Sequence, residues 1–292
     1  MTLNKTMEKT RGTIFISSMA FGSDISQINS LFEDTTLPIE FSSGLSFNKN
    51  NIDIFLAYSG KKLAHNYFPA PKAPFVLNLA SPNKKTREKS ISHCINGLKI
   101  SSKGCASFYC AHAGFLIDPN VEELGIKIQM DTNIEIKNQK YIFIDSIKKI
   151  LKAADNFNVN FYIENNVLAP FNFNSRSNTI PFFCCESKDI LSVFEEINHP
   201  KFGLLLDTAH LKVSCKTLNL KLEEEFLKIK HLIKAIHHSD NDGLIDSNEK
   251  LTKNYWFLNH MHQFKEIDHV VEVKNLTVEE MNSQIELIKL NF

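Results

Sequence analysis

Short apolar runs recur along the chain, each followed by a polar loop and then a longer stretch in which apolar residues return at helical intervals. The runs fall at Thr13–Ser18, Leu37–Ser42, Lys62–Asn66, Ala106–His112, Asn158–Asn165, Phe202–Asp207, Lys234–Ser239 and His269–Val273. Several, such as FYIENN and FGLLLDTAH, are almost continuously apolar, the pattern of parallel strands buried on both faces. Between them, Thr86–Lys103, Tyr141–Phe157, Ser187–Asn198, Leu220–Leu232 and Thr277–Leu290 carry helical spacing, with Ser187 and Thr277 placed as N-caps. Strand–helix alternation repeated about eight times predicts one α/β domain over residues 1–292, a single (β/α)8 TIM barrel. An open doubly wound sheet would ordinarily bring a Gly-rich phosphate turn after its first strand, and no GxGxxG occurs. The long aperiodic stretch Leu168–Glu186 is expected to be a lid or binding loop.

Composition narrows the function. Lys+Arg and Asp+Glu balance at 33 each, and the only arginines are Arg11, Arg87 and Arg176. A chain that grips a nucleic acid through its phosphates is expected to be basic and richer in Arg. No apolar run approaches the roughly 18 residues of a membrane span. The apolar stretch Thr13–Met19 alternates with serines and lacks a small-residue cleavage site, so it reads as a first strand rather than a signal segment. The six cysteines include no CxxC pair, and Cys184 and Cys185 are adjacent. Reduced thiols and a cytoplasmic location are therefore expected, with Cys94, Cys105 and Cys110 as buried small hydrophobes.

In a barrel, polar residues at the C-terminal ends of the strands converge on one mouth. Those positions are His65, His112, Glu164, Asp207, His237 and Glu272, on strands three to eight. His210 follows Asp207 closely, and Asp246 lies in the loop after His237. One such residue is usually a satisfied structural group. Six consecutive strands ending this way would be costly to bury without a compensating cation. The mixed carboxylate–imidazole set suits Mn, Mg or Co, with further histidines shifting preference towards Zn; no thiolate suggests a structural zinc.

The motifs FYCAHAGF around His112, FYIENN around Glu164, LLLDTAH around Asp207 and His210, AIHHSDNDG around His237 and HVVEVKN around Glu272 resemble the xylose isomerase-like TIM-barrel superfamily. That superfamily includes sugar isomerases, sugar epimerases and the endonuclease IV type of apurinic endonuclease. The segment HNYFPAPKAPFVLNLAS also resembles sugar isomerase or epimerase proteins associated with surface-polysaccharide synthesis. The resemblance implies a metal tetrad of Glu164, Asp207, His237 and Glu272. Glu164 and Glu272 would double as acid and base, with His65, His112, His210 and Asp246 around the substrate. The implied reaction is metal-dependent isomerisation or epimerisation of a sugar or sugar phosphate, with proton transfer through an enediolate.

Two alternatives stand beside it. The endonuclease pattern resembles a three-zinc site that adds His65, His112 and an Asp-x-His pair. Here Asp246 matches but Asn248 stands where the histidine should be, and the inserted NYFPAPKAP makes Lys72 a rival to His65. The second alternative is a non-catalytic metal-binding barrel, against which the intact Glu164 and Glu272 count. A small-molecule sugar is the expected partner, neither membrane nor nucleic acid is, and a homodimer is open to the chain. No arginine follows His237 closely, so a phosphate on the substrate would need Lys72, Arg176 or Lys274, each more commonly a solvated charge.

The remaining histidines, His93, His199, His231, His260, His262 and His269, are expected to be non-functional in helices or loops, and His238 to point away from the site. Phe68, Phe171, Phe173, Phe182 and Phe183 are expected to pack active-side loops, and Glu223–Glu225 to form a solvated helix face.

Overall fold

A computed structural model describes residues 11–26, 28, 37–129, 136–175 and 180–292. Eight strands close a barrel in sequence order: β1 Ile14–Ser17, β2 Ile39–Phe41, β3 Lys62–His65, β4 Phe108–His112, β5 Asn160–Glu164, β6 Phe202–Asp207, β7 Ile233–His238 and β8 Asp268–Val271. Every neighbouring pair is parallel, including β1 with β8. Helices follow the strands: α1 Asn51–Ala57, α2 Lys84–Lys103, α3 Ile136–Phe157, α4 Ser187–Glu195, α5 Thr208–Leu218, α6 Leu222–Ile229 and α7 Val278–Lys289. All eight predicted strands and five predicted helices are present, so the (β/α)8 expectation holds.

The two-residue period of the strands sorts their side chains. Phe15, Leu63, Phe108, Cys110, Tyr162, Leu205, Ala235 and Val270 fill the barrel interior as one apolar cluster. Phe108 and Tyr162 stack there with ring centroids 4.7 Å apart. A side chain on Gly203 would place its Cβ 2.8 Å from Cδ1 of Tyr162 and 2.4 Å from Cγ of Lys234, so glycine permits the close approach of β5 to β6. Two residues further along these strands stand Ser17, His65, His112, Glu164, Asp207, His237 and Glu272. The ionisable groups therefore rest on a dry, low-dielectric floor.

Several local expectations are corrected. Helices α1 and α5 escaped the sequence reading; α5 did so because no loop separates it from β6. Asp207 ends the strand and also caps the helix, accepting from the His210 N–H at 2.7 Å. Thr277 caps α7 through a capping box, but the cap position of α4 is Glu186, not Ser187. The Ser187 N–H instead donates to Glu225 Oε2 at 2.9 Å, so Glu225 is buried rather than part of a solvated face. Cys94 and Cys110 are buried as expected, whereas Cys105 is exposed. His269 lies on β8 rather than in a helix or loop. Phe68 belongs to the core with Phe41 and Phe55, while Phe171 is exposed. Part of the Leu168–Glu186 stretch, including Arg176, lies outside the described residues. Among the described residues no helix is long and apolar enough to cross a membrane.

Candidate metal centre

Four side chains of ligand type, Glu164, Asp207, His237 and Glu272, bring one donor atom each to within 4.8 Å of one another, all buried, a group that could hold a metal ion. Their placement follows from the strands. Asp207 and His237 are register partners across β6 and β7, and Glu272 follows directly on β8. Nδ1 of His237 is 2.9 Å from Oε2 of Glu272 and 3.6 Å from Oε1 of Glu164.

Both oxygens of Glu164 and Oδ2 of Asp207 lack a hydrogen-bond partner although they are buried. Histidines surround Glu164 nonetheless: Nε2 of His65 lies 3.1 Å and Nε2 of His112 3.4 Å from Oε2, and Nδ1 of His210 lies 3.4 Å from Oε1. Nδ1 of His237 and Oε2 of Glu272 are hydrogen-bonded to each other at 2.9 Å, whereas buried carboxylate oxygens left unpaired, as on Glu164 and Asp207, are an arrangement expected of ligands to a common cation.

The electrostatics agree. Burial, together with the charges of Glu164, Asp246 and Glu272, pushes the Asp207 carboxyl well above its usual range, with His210 opposing. Burial also works against the Glu164 and Glu272 carboxylates. His112, His237 and His65 nevertheless hold Glu164 well below its ordinary range, and His237 holds Glu272 below. Such a set cannot be fully ionised without positive charge, which the histidines supply here and which a divalent cation would also supply. The donor set fits an oxygen-preferring or borderline divalent ion.

The neighbouring residues complete the cluster. FYIENN has a task for each polar residue: Glu164 enters the centre, Asn165 pairs with the backbone of Asp207, and Asn166 Nδ2 donates to the carbonyls of Ala113, Gly114 and Phe183. Nδ1 of His210 donates to the Asn165 carbonyl at 2.8 Å, which directs Nε2 to Asp246 at 3.3 Å. His112 is the most open of the histidines around Glu164, its side chain 27% exposed. All the predicted site residues therefore gather at one end of the barrel. Lys72 does not compete with His65; it is exposed and lines a separate hollow with Phe47, Tyr67 and Phe75. Lys274 is also exposed.

One residue was missed. Glu40 on β2 is wholly buried, and its Oε2 accepts from Nε2 of His237 at 3.0 Å. Its signal was available: a lone carboxylate within the apolar run Leu37–Ser42.

Over residues 48–281 the sequence matches the family described as xylose isomerase-like TIM barrel. The chain belongs to that family. Among curated proteins, the probable endonuclease 4 of Aquifex aeolicus (strain VF5) is 28% identical over 194 residues, 63% of this chain. The match spans 60% of that relative's length. Solved structures of the same fold include a D-tagatose 3-epimerase-like protein, with TM-score 0.71, 17% identity and 96% of each chain covered. Another is the 3-keto-D-glucoside 4-epimerase of E. coli, with TM-score 0.63, 10% identity, and 96% of this chain and 99% of that one covered. At these identities the structures establish the fold of this family member.

Proposed function

We propose that the chain is a divalent-metal-dependent isomerase or epimerase of a sugar or sugar phosphate, moving a proton at the carbon beside a carbonyl. The observation that carries this reading is the pair of carboxylates, Glu164 and Glu272, flanking one nitrogen of His237 within a four-ligand group. Glu164, Asp207, His237 and Glu272 would hold the cation. When bound, it would polarise a carbonyl and an adjacent hydroxyl and stabilise the negative charge that develops on them. Glu272 and Glu164 accept and return the proton, a division that requires two carboxylates at one centre. Glu272 is the more accessible, its side chain 10% exposed against 1% for Glu164. His112, His210 and Asp246 would contact the substrate, whereas the buried His65 acts through Glu164. Family membership and the epimerase-named structures sharing the fold support the sugar reading.

A second reading rests on His65 and His112 approaching the same oxygen of Glu164. His65, His112 and Glu164 would then help to hold a further cation, as the endonuclease alternative, a zinc-dependent one, requires. The sequence puts Asn248 in place of a third-site histidine, which counts against it.

Elemental analysis and isotope exchange separate the two. The sugar reading expects one Mn, Mg or Co per chain and solvent deuterium entering a sugar beside its carbonyl, with Glu164→Gln slowing exchange about 10²- to 10⁴-fold. Two or more zinc ions per chain, nicking of abasic DNA and no exchange across a sugar panel would overturn it.

A further inference from the structure

Glu40 lies outside the residues that match the family, on a strand of only three residues. Its neighbours Ile39 and Phe41 belong to the core between strands and helices, while Glu40 alone points into the barrel against His237. Burying a carboxylate against a histidine that already faces Glu164 and Glu272 is unfavourable, and packing gives no reason for it. Its geometry gives one. A neutral imidazole carries a proton on one nitrogen and a ligating lone pair on the other. Glu40 takes the Nε2 side of His237 at 3.0 Å, and the opposite nitrogen, Nδ1, faces Glu272 and Glu164. Oε1 of Glu40 makes no hydrogen bond, and His65, whose Nε2 approaches Glu164, has its ring centroid 4.9 Å from that of His237. Donor atoms of Glu40, His65 and His237 lie within 4.8 Å of one another.

We propose that Glu40 is a positioning residue of the metal centre, holding His237 as the Nε2–H tautomer so that Nδ1 is its ligand nitrogen. The proposal rests on the metal-centre reading above and deepens it. A carboxylate behind a ligating histidine fixes the ring and strengthens the nitrogen as a donor. Glu40 touches neither cation nor substrate in this role; it acts through His237.

The test uses the full chain, stripped with chelator and titrated with cobalt in competition with a chelating dye. Glu40→Gln keeps an acceptor and removes the charge; Glu40→Leu removes both. The expected result is a roughly 10- to 100-fold weaker cobalt affinity for Glu40→Leu and a smaller loss for Glu40→Gln. The melting temperature of the metal-free protein should not fall in Glu40→Gln. Nitrogen-15 spectra of histidine-labelled, zinc-loaded protein should show a proton on Nε2 of His237 in the unmodified chain. Variants that bind cobalt as tightly as the unmodified chain, or a His237 protonated on Nδ1, overturn the positioning role alone. An unmodified chain that binds neither cobalt nor zinc overturns the metal-centre reading with it.

Discussion

Asn165 pairs both polar atoms of its side chain with the backbone of Asp207: Nδ2 donates to the carbonyl at 3.0 Å and Oδ1 accepts the N–H at 2.8 Å. The ladder between β5 and β6 ends at Glu164 and Leu205, so this side chain extends the pairing to where the backbone strands part. Asp207 is thereby fixed as strand end and helix cap together, the position from which it would serve as a ligand in the proposed metal centre. Asn165→Ala leaves a buried N–H and carbonyl unpaired, each worth about 1–3 kcal/mol. Urea unfolding should show a loss of about 2–4 kcal/mol, and cobalt titration a weakened affinity. Unchanged values in both would show that the pairing does not position Asp207.

The charge on Asp207 should act against stability in the metal-free protein. Burial and neighbouring carboxylates raise its folded-state pKa, so the unfolded chain ionises more readily and the penalty is present above the ordinary carboxylate range. It disappears as pH falls through that range, where both states are protonated. Asp207→Asn retains Oδ1 to cap α5 and discards the charge. Chelator-treated Asp207→Asn is expected to be more stable than the unmodified chain by about 1–3 kcal/mol near neutral pH, the gain vanishing in acid. Its metal affinity should fall at the same time. A variant destabilised at neutral pH would mean that Asp207 serves the fold rather than the ion.

Strand ends and their chemistry were legible because parallel strands in a barrel write both burial and direction into a short run of residues. Glu164, Asp207 and His237 each stand at or beside the last residue of an apolar run, where the chain turns from core to mouth. Glu40 was less legible. It sits within its run, flanked by Ile39 and Phe41, and only tertiary closure brings it to His237 from 197 positions away. The exposure of Cys105 was equally non-local: it follows α2 with φ at 57°, a turn that the apolar character of its surroundings does not reveal.

Glu225 illustrates the same limit and supports a prediction away from the centre. Within α6 it looks like one of three consecutive solvated acids, yet its carboxylate takes the Ser187 N–H at the start of α4. A negative group there also complements the helix dipole. Its ion pair with Lys228 at 2.6 Å involves a half-exposed lysine and adds little. Glu225→Ala should cost about 1–2 kcal/mol, seen as a melting temperature lower by roughly 2–4 °C, with metal affinity retained. A lost metal affinity would indicate that α4 is coupled to the centre.

Acid sensitivity should come in part from His269, on the outer face of the barrel. Its Nε2 must donate to the Phe264 carbonyl at 3.1 Å, so its Nδ1 accepts from Nε2 of His238 at 2.8 Å. Nδ1 of His238 in turn accepts from the Tyr255 hydroxyl at 2.9 Å. Neither ring has a nitrogen free to take a proton. Burial, moderated by the Phe264 hydrogen bond, pushes His269 down from 6.5 to about 4. The unfolded state therefore binds the proton first as pH falls. Stability from this residue is intact above about 6.5 and declines by about 1.4 kcal/mol per pH unit between there and about 4. His269→Gln lacks the titrating ring. Comparing the urea unfolding free energies of the two chelator-treated proteins across that window subtracts the other titrating groups. The unmodified chain should lose about 3 kcal/mol more than the variant; parallel curves would show that His269 does not remain neutral in the fold.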